Sequence, residues 1–137
     1  MARNIPFSGK MTTLNRIKIL IADDQWDFRN VLHNFLDGLP NVSVIGEAMN
    51  GNDAVKKVEE LLPDVVLMDI SMPLINGIEA TRIIKQRWPA TKILVVSNFD
   101  DPNYRNQALE AHADGFIAKS DLMPSLETMF GIQNVRT

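Results

Sequence analysis

Five polar residues stand where apolar runs stop. Asp23 and Asp24 follow "ILIA", Asp69 follows "VVLM", Ser97 follows "KILVV" and Lys119 follows "GFIA". Taken singly, each has an ordinary explanation. An aspartate after a strand is often a helix cap, a serine a turn residue and a lysine merely solvated. Asp24 alone reads as a cap. Taken jointly, they describe one site. Three carboxylates brought together repel one another and need a cation or protons. One lysine cannot neutralise three of them. Hard oxygen donors with room for water suit Mg²⁺, which also binds phosphate oxygens. A serine hydroxyl and a lysine ammonium beside that ion would complete a cradle for a phosphoryl group.

Such a site needs elements that bring distant residues to one rim. Residues 17–22, 42–48, 65–68, 92–97 and 115–118 read as strands, mostly apolar throughout. Between them lie amphipathic patterns. Phe28, Leu32, Phe35, Leu36 and Leu39 share one helical face, stopped by "GLP". Residues 53–62 form a second helix ended by Pro63, and 77–88 a third closed by Pro89. Residues 101–113 form a fourth, with Asp101 as N-cap and Pro102 at the first helical position. The pattern predicts a last helix over 124–132. Strands apolar on both faces imply a parallel sheet covered by helices on each side, with right-handed crossovers. Ligands of such α/β sheets bind beyond the carboxyl ends of the strands, which is where the five polar residues fall.

The 137-residue length fits one domain with a single core. Hydrophobic residues make up 45% and charged residues 23%, an ordinary globular balance. The absence of cysteine excludes disulfides and thiolate metal sites and fits a reducing compartment. A net charge of −3 argues against a nucleic-acid surface across the whole domain. No apolar run approaches a membrane span, and the N-terminal stretch lacks the apolar segment of a secretory signal. Residues 1–16 read as an N-terminal extension, expected to be mobile, and 133–137 as a tail.

"ILIADD", "VVLMDISMPLINGIEATR", "ILVVS" and "GFIAKS" together resemble the receiver domain of two-component response regulators. The resemblance spans residues 16–132, with the domain proper at 17–132. Its order and spacing are specific, although each fragment alone is weak. It implies a flavodoxin-like, five-stranded doubly wound sheet of order 2-1-3-4-5. Asp69 would be the phosphoacceptor, attacking a phosphohistidine on a sensor histidine kinase or phosphotransfer protein. Asp24, Asp69 and the Ser71 carbonyl would ligate Mg²⁺, and Asp23 would act through a water. Ser97 would donate to one phosphoryl oxygen and Lys119 would pair with another. Pro73 and Gly77 would shape the loop carrying Asp69. Phe116 falls at the family's aromatic switch position, coupled to Ser97, and the surface formed by the fourth helix, fifth strand and fifth helix would respond. The implied protein is cytoplasmic and regulatory rather than enzymatic, with self-catalysed phosphotransfer and slow autodephosphorylation. A homodimer on phosphorylation is possible, with no direct nucleic-acid binding by this chain and no membrane contact.

Several positions depart from the pattern. Asn98 replaces a customary small residue, and apolar Phe99 stands where many receivers are polar. With Ser71, these residues would modulate access to Asp69. Ser120 after Lys119 leans towards receivers attached to LuxR-like helix-turn-helix output domains, and no output domain follows within this chain. His112 stands where that class usually has glycine. His33 and His112 have no ligand-spaced partner and read as surface or capping residues. Trp26 either covers the first turn of its helix or meets a kinase. Two other functions remain open: a receiver-like binding module that is not phosphorylated, with Asn98 and Phe99 blocking the site, and a Mg²⁺-dependent aspartyl-phosphate phosphohydrolase. The latter usually has an acid two residues beyond the nucleophile, where Ser71 stands.

Overall fold

The computed structural model describes residues 16–131. Its elements alternate: β1 (Ile17–Ala22), α1 (Trp26–Asp37), β2 (Val42–Ala48), α2 (Gly51–Leu61), β3 (Val65–Asp69), α3 (Gly77–Arg87), β4 (Lys92–Ser97), α4 (Pro102–Glu110), β5 (Gly115–Ala118) and α5 (Lys119–Phe130). The strands form one sheet in the order β2-β1-β3-β4-β5, and every pairing is parallel. This is the doubly wound order that the resemblance implied. The extension before Arg16 and the tail over 133–137 lie outside the described residues.

Alternation along the strands divides the core in two. Successive side chains of a strand point to opposite faces. Leu20, Val66, Met68, Ile93 and Val95 therefore pack with Ala54 and Val58 of α2, Ile84 of α3 and Ala108 of α4. Their neighbours Ile19, Ile21, Val65, Leu67 and Val96 pack with Leu32 and Leu36 of α1 and Leu122 and Leu126 of α5. Each fully buried aliphatic side chain is worth about 1.5–3 kcal/mol against exposure. Two such layers hold β1, β3 and β4 fixed between them.

Caps account for most helix starts. Asn50 Oδ1 accepts from the Asp53 N–H at 2.7 Å, which starts α2 two residues before the position read from periodicity. Asn76 accepts from Glu79 N at 3.0 Å and Asp101 from Asn103 N at 2.8 Å, with Pro102 opening α4 as expected. That helix stops at Glu110, and His112 adopts a left-handed φ of 69° in the glycine-favouring region.

The last helix corrects the sequence reading. It begins at Lys119 rather than at Pro124, which lies inside it. Proline marks a first helical turn by preference. Here Leu122, Leu126 and Phe130 are buried at four-residue spacing, and their burial holds the helix continuous. Pro124 removes one donor, whose usual acceptor would be the carbonyl of solvent-exposed Ser120.

At the end of the sheet away from the five polar residues, Lys85 fastens α3 to Asp114, the residue before β5. Its ammonium donates to Pro89 O, Thr91 O and Asp114 Oδ2, each at 2.9 Å. Asp114 Oδ2 also accepts from Ile93 N at 2.8 Å. Burial acts to raise the Asp114 pKa, but the Ile93 N–H and Lys85 outweigh it and hold the carboxyl below its usual value. Asp114→Ala should destabilise the chain by about 2–3 kcal/mol in urea unfolding, because a buried donor loses its acceptor. A carboxyl with a lowered folded-state pKa contributes stability above its unfolded pKa and loses it as pH falls through the lowered value. The penalty should therefore be full at neutral pH and shrink below about pH 4.

Candidate functional site

The strand ends converge as the sequence requires. β1 and β3 run side by side with Ala22 opposite Met68, so Asp23 and Asp69 leave adjacent strands at one level. β3 and β4 pair Asp69 with Val96, placing Ser97 one residue further along the neighbouring strand. Ser97 in turn pairs with Ala118, immediately before Lys119. Carboxylate oxygens of Asp23, Asp24 and Asp69 lie within 4.8 Å of one another. Asp23 and Asp69 are buried, whereas Asp24 is exposed.

Asp23 and Asp69 are fixed from behind. The Asp23 backbone N–H donates to Ala48 O at 3.0 Å, and its Oδ1 accepts from Gln25 N at 2.8 Å. Its carbonyl accepts from the Arg29 guanidinium at 2.7 Å. After Asp69, Ile70 N donates to Val96 O at 2.9 Å and Ile70 O accepts from Gly77 N at 3.1 Å. A Cβ on Gly77 would lie 2.1 Å from Asp69 O, so only glycine lets α3 start this close beneath the loop. Leu74, in the same loop, is exposed with φ 68°.

Lys119 is the cation of the site. Its Nζ stands 3.1 Å from Asp23 Oδ2 and 3.6 Å from Asp69 Oδ1. Among the described residues, Asp69 Oδ1 is buried without a hydrogen-bond partner. Burial, then the neighbouring Asp23 charge, push the Asp69 pKa up to about 7, with Asp24 adding to the rise. Lys119 and the Ser71 N–H oppose them. Hard oxygens, crowded like charges and an orphaned buried oxygen together fit a divalent hard cation such as Mg²⁺.

Ser97 is buried and its Oγ accepts from Phe99 N at 3.3 Å, leaving the hydroxyl proton free to point elsewhere. Ser71, Asn98 and Phe99 are exposed around the mouth. Phe99 is 70% exposed, its ring left mostly to solvent. Phe116 lies apart from the acidic cluster, half-buried in β5, with the Arg105 guanidinium of α4 4.8 Å from its ring centroid. Trp26 is 63% exposed and borders an open hollow at the start of α1 together with Asp27, Phe28 and Val31.

Sequence reasoning missed the network behind Asp23. Arg29 Nε pairs with Glu47 Oε1 at 2.8 Å, and His33 Nδ1 meets Glu47 Oε2 at 2.6 Å. His33 Nε2 also lies 3.6 Å from Asp37 Oδ2. Burial acts to raise the Glu47 pKa, but His33 and Arg29 hold it below the usual value. His33 is thus a bridging residue rather than a plain surface or capping one. A signal was present: Arg29 occupies the buried stripe of α1 with Leu32 and Leu36, and a charge on a buried stripe requires a partner.

A carboxyl whose folded-state pKa is raised binds its proton more tightly in the folded chain. Its contribution to stability is greatest below the unfolded pKa and falls as pH rises through the raised value. Without metal, stability should therefore decline from the ordinary aspartate range up to about pH 7. Asp69→Asn should flatten that profile and exceed the parent by about 2–4 kcal/mol near pH 8. Thermal or urea unfolding in chelator across this range checks it; an Asn variant that declines like the parent would contradict the electrostatic account.

A family model described as the response regulator receiver domain matches residues 19–130. The transcriptional regulatory protein DegU of Brevibacillus brevis is 43% identical over 105 residues, covering 77% of this chain and 44% of that protein. The response regulator domain of CheB from Thermotoga maritima superposes with a TM-score of 0.77 at 35% identity, covering 83% of this chain and 92% of that one. A LuxR-family DNA-binding response regulator from Staphylococcus aureus does so with 0.77 at 29% identity, covering 82% and 95%. The chain spans about half the length of the curated relatives it matches. The sheet order, the acidic strand ends and the family match over nearly all of the described residues agree: the chain belongs to the receiver domain family of response regulators.

Proposed function

We propose that Asp69 accepts a phosphoryl group from a phosphohistidine on a sensor histidine kinase or phosphotransfer protein. The observation that carries this reading is the buried, hydrogen-bond-orphaned Asp69 Oδ1, set among two other carboxylates and 3.6 Å from the Lys119 ammonium. The Asp69 oxygen forms a bond to phosphorus as the phosphorus–nitrogen bond of the donor breaks. The departing imidazole nitrogen keeps the electron pair, and the product is an acyl phosphate. Lys119 pairs with one phosphoryl oxygen and the Ser97 hydroxyl donates to another. Asp24, Asp69 and the Ser71 carbonyl would hold Mg²⁺, with Asp23 acting through a water. The ion would supply positive charge against the phosphoryl oxygens.

Phosphorylation then biases a two-state equilibrium through Ser97 and Phe116 and alters the α4-β5-α5 surface. That surface controls a partner, a second copy of the chain or a DNA-binding output. Residues 17–132 act as the receiver unit, with 1–16 an extension and 133–137 a tail, in a cytoplasmic protein. No helix among the described residues is long and apolar enough to cross a membrane. The chain is regulatory, with self-catalysed phosphotransfer and slow dephosphorylation. Exposed Ser71 in place of a second acid speaks against a phosphohydrolase. Asn98 and Phe99 are exposed rather than packed into the acidic pocket, which speaks against a blocked module.

Incubation with acetyl phosphate and Mg²⁺, followed by intact mass, tests the reading. The parent should gain one phosphoryl group, Asp69→Asn none, and Lys119→Ala a reduced amount. Asp24→Ala should weaken Mg²⁺ binding in a direct titration. Label retained by Asp69→Asn would remove the central assignment.

Phe99 bears on how long the group survives. An acyl phosphate is lost when water reaches phosphorus in line with the leaving carboxylate. Phe99 and Ser71 flank that approach, and neither a phenyl ring nor a short hydroxyl orients water well. Phe99→Gln or Phe99→Glu should hasten dephosphorylation by up to about tenfold, or roughly 1.4 kcal/mol of barrier. Decay after donor removal at fixed Mg²⁺ measures it; unchanged decay in both variants would show that Phe99 does not guard the site.

A further inference from the structure

The Lys119 ammonium has a fourth neighbour besides Asp23, Asp69 and Gln25. It lies 4.2 Å from the centroid of the Phe28 ring. The other contacts are 3.1 Å to Asp23 Oδ2, 3.6 Å to Asp69 Oδ1 and 3.5 Å to Gln25 Oε1. The Lys119 side chain is only 13% exposed, so little water competes for it. The negative face of an aromatic ring attracts a cation, more strongly when both are desolvated.

We infer that Phe28 is a positioning residue for phosphoryl transfer, its ring face holding the Lys119 ammonium within reach of Asp69. The inference rests on reading Asp69 as the phosphoacceptor. The ring is well placed for this role. Phe28 packs against the cluster that contains Leu32, Leu36 and Leu122. The next residue, Arg29, is bonded to the Asp23 carbonyl. The ring is thereby fixed relative to the acidic pair. A lysine ammonium is a point charge on a flexible four-carbon stem with three rotatable donors. A ring face holds the charge without claiming a directed hydrogen bond, so the donors remain available. The other contacts would change as the reaction proceeds: an Asp69 oxygen would enter a bond to phosphorus, and Asp23 would be drawn towards the cation that the acidic group would hold. The ring contact can persist through both states.

The plain alternative is that the ring only packs on the lysine methylenes. Fluorination separates the two, because it withdraws charge from the ring face while nearly preserving shape. The full chain would carry mono-, di- or trifluorinated phenylalanine at position 28, beside Phe28→Leu and Phe28→Tyr. Phosphorylation by acetyl phosphate with Mg²⁺ should slow progressively, by about fivefold for the trifluorinated ring and about tenfold for leucine, with tyrosine close to the parent. In a Lys119→Met background the fluorine series should be flat. In metal-free protein, the ring-current displacement of the Lys119 ε-methylene NMR signals should shrink along the series. A parent that is phosphorylated while its rate ignores fluorination would overturn this inference alone. A slope that survives in Lys119→Met would also overturn it. A parent that takes no phosphoryl group would instead overturn the phosphoacceptor reading.

Discussion

Repulsion among Asp23, Asp24 and Asp69 sets the terms for everything built around them. Three carboxylates with oxygens within 4.8 Å of one another cannot all be charged and buried without compensation. Lys119 compensates in part, at 3.1 Å from Asp23 and 3.6 Å from Asp69. The remaining imbalance appears as an Asp69 pKa near 7 and an oxygen with no hydrogen-bond partner among the described residues. Such a site is unsatisfied by construction. It would gain from a divalent cation, and under the proposed reading Ser97 and Lys119 would then receive a phosphoryl group together. The conflict persists because the frame cannot relax away from it. β1 and β3 are locked by paired backbone bonds and packed on both faces, so the carboxylates of Asp23 and Asp69 at their ends cannot drift apart.

The network behind Asp23 belongs to the same constraint. Arg29 carries a buried charge into the inner face of α1, where an unpartnered guanidinium would be costly. Glu47 answers it from the end of β2, and His33 adds a second donor to Glu47. In return the guanidinium holds the Asp23 carbonyl. Asp23 is therefore fixed by its own backbone, by the Gln25 N–H and by Arg29, which leaves one carboxylate oxygen towards Lys119.

What the sequence made legible follows the strength of its local signals. Apolar runs marked β1, β4 and β5 to the residue and β3 except for its final Asp69, alternation marked β2, and the polar residues at the strand ends marked the candidate site. Asp101-Pro102 fixed the start of α4 because cap and proline agree. Errors arose where a local signal opposed a tertiary one. Pro124 marks a helix start by local preference, yet burial of Leu122 ahead of it carries α5 back to Lys119. Gly51 and Asn52 look like loop until Asn50 is seen to cap them into α2. The partners of Arg29, His33 and Phe28 depend on side-chain direction across β2 and the start of α5. No spacing along the chain reports that.

The helices also differ in how tightly the core holds them, which bears on where the proposed switch can act. α3 buries Gly77, Ile78, Ala80, Thr81 and Ile84, whereas α4 buries only Ala108 within its length. Leu109 is 69% exposed on α4 and Tyr104 40%. An element with little buried apolar surface moves at low cost. The strand beside it, β5, has four residues and lies at the edge of the sheet, partnered on one side only by β4. Arg105 ties α4 to this strand through the ring of Phe116, a contact that involves no buried hydrogen bond. Such a tie would be broken and remade at little cost if the ring turned, because a cation over a ring face is held by charge rather than by a fixed donor–acceptor line. Under the proposed reading, half-buried Phe116, on the strand beside loosely held α4, would be the group that turns. The strands behind the acidic centre are packed on both faces and the α4-β5 margin is not, so a change of charge at the first, as proposed, would find its compliant outlet at the second.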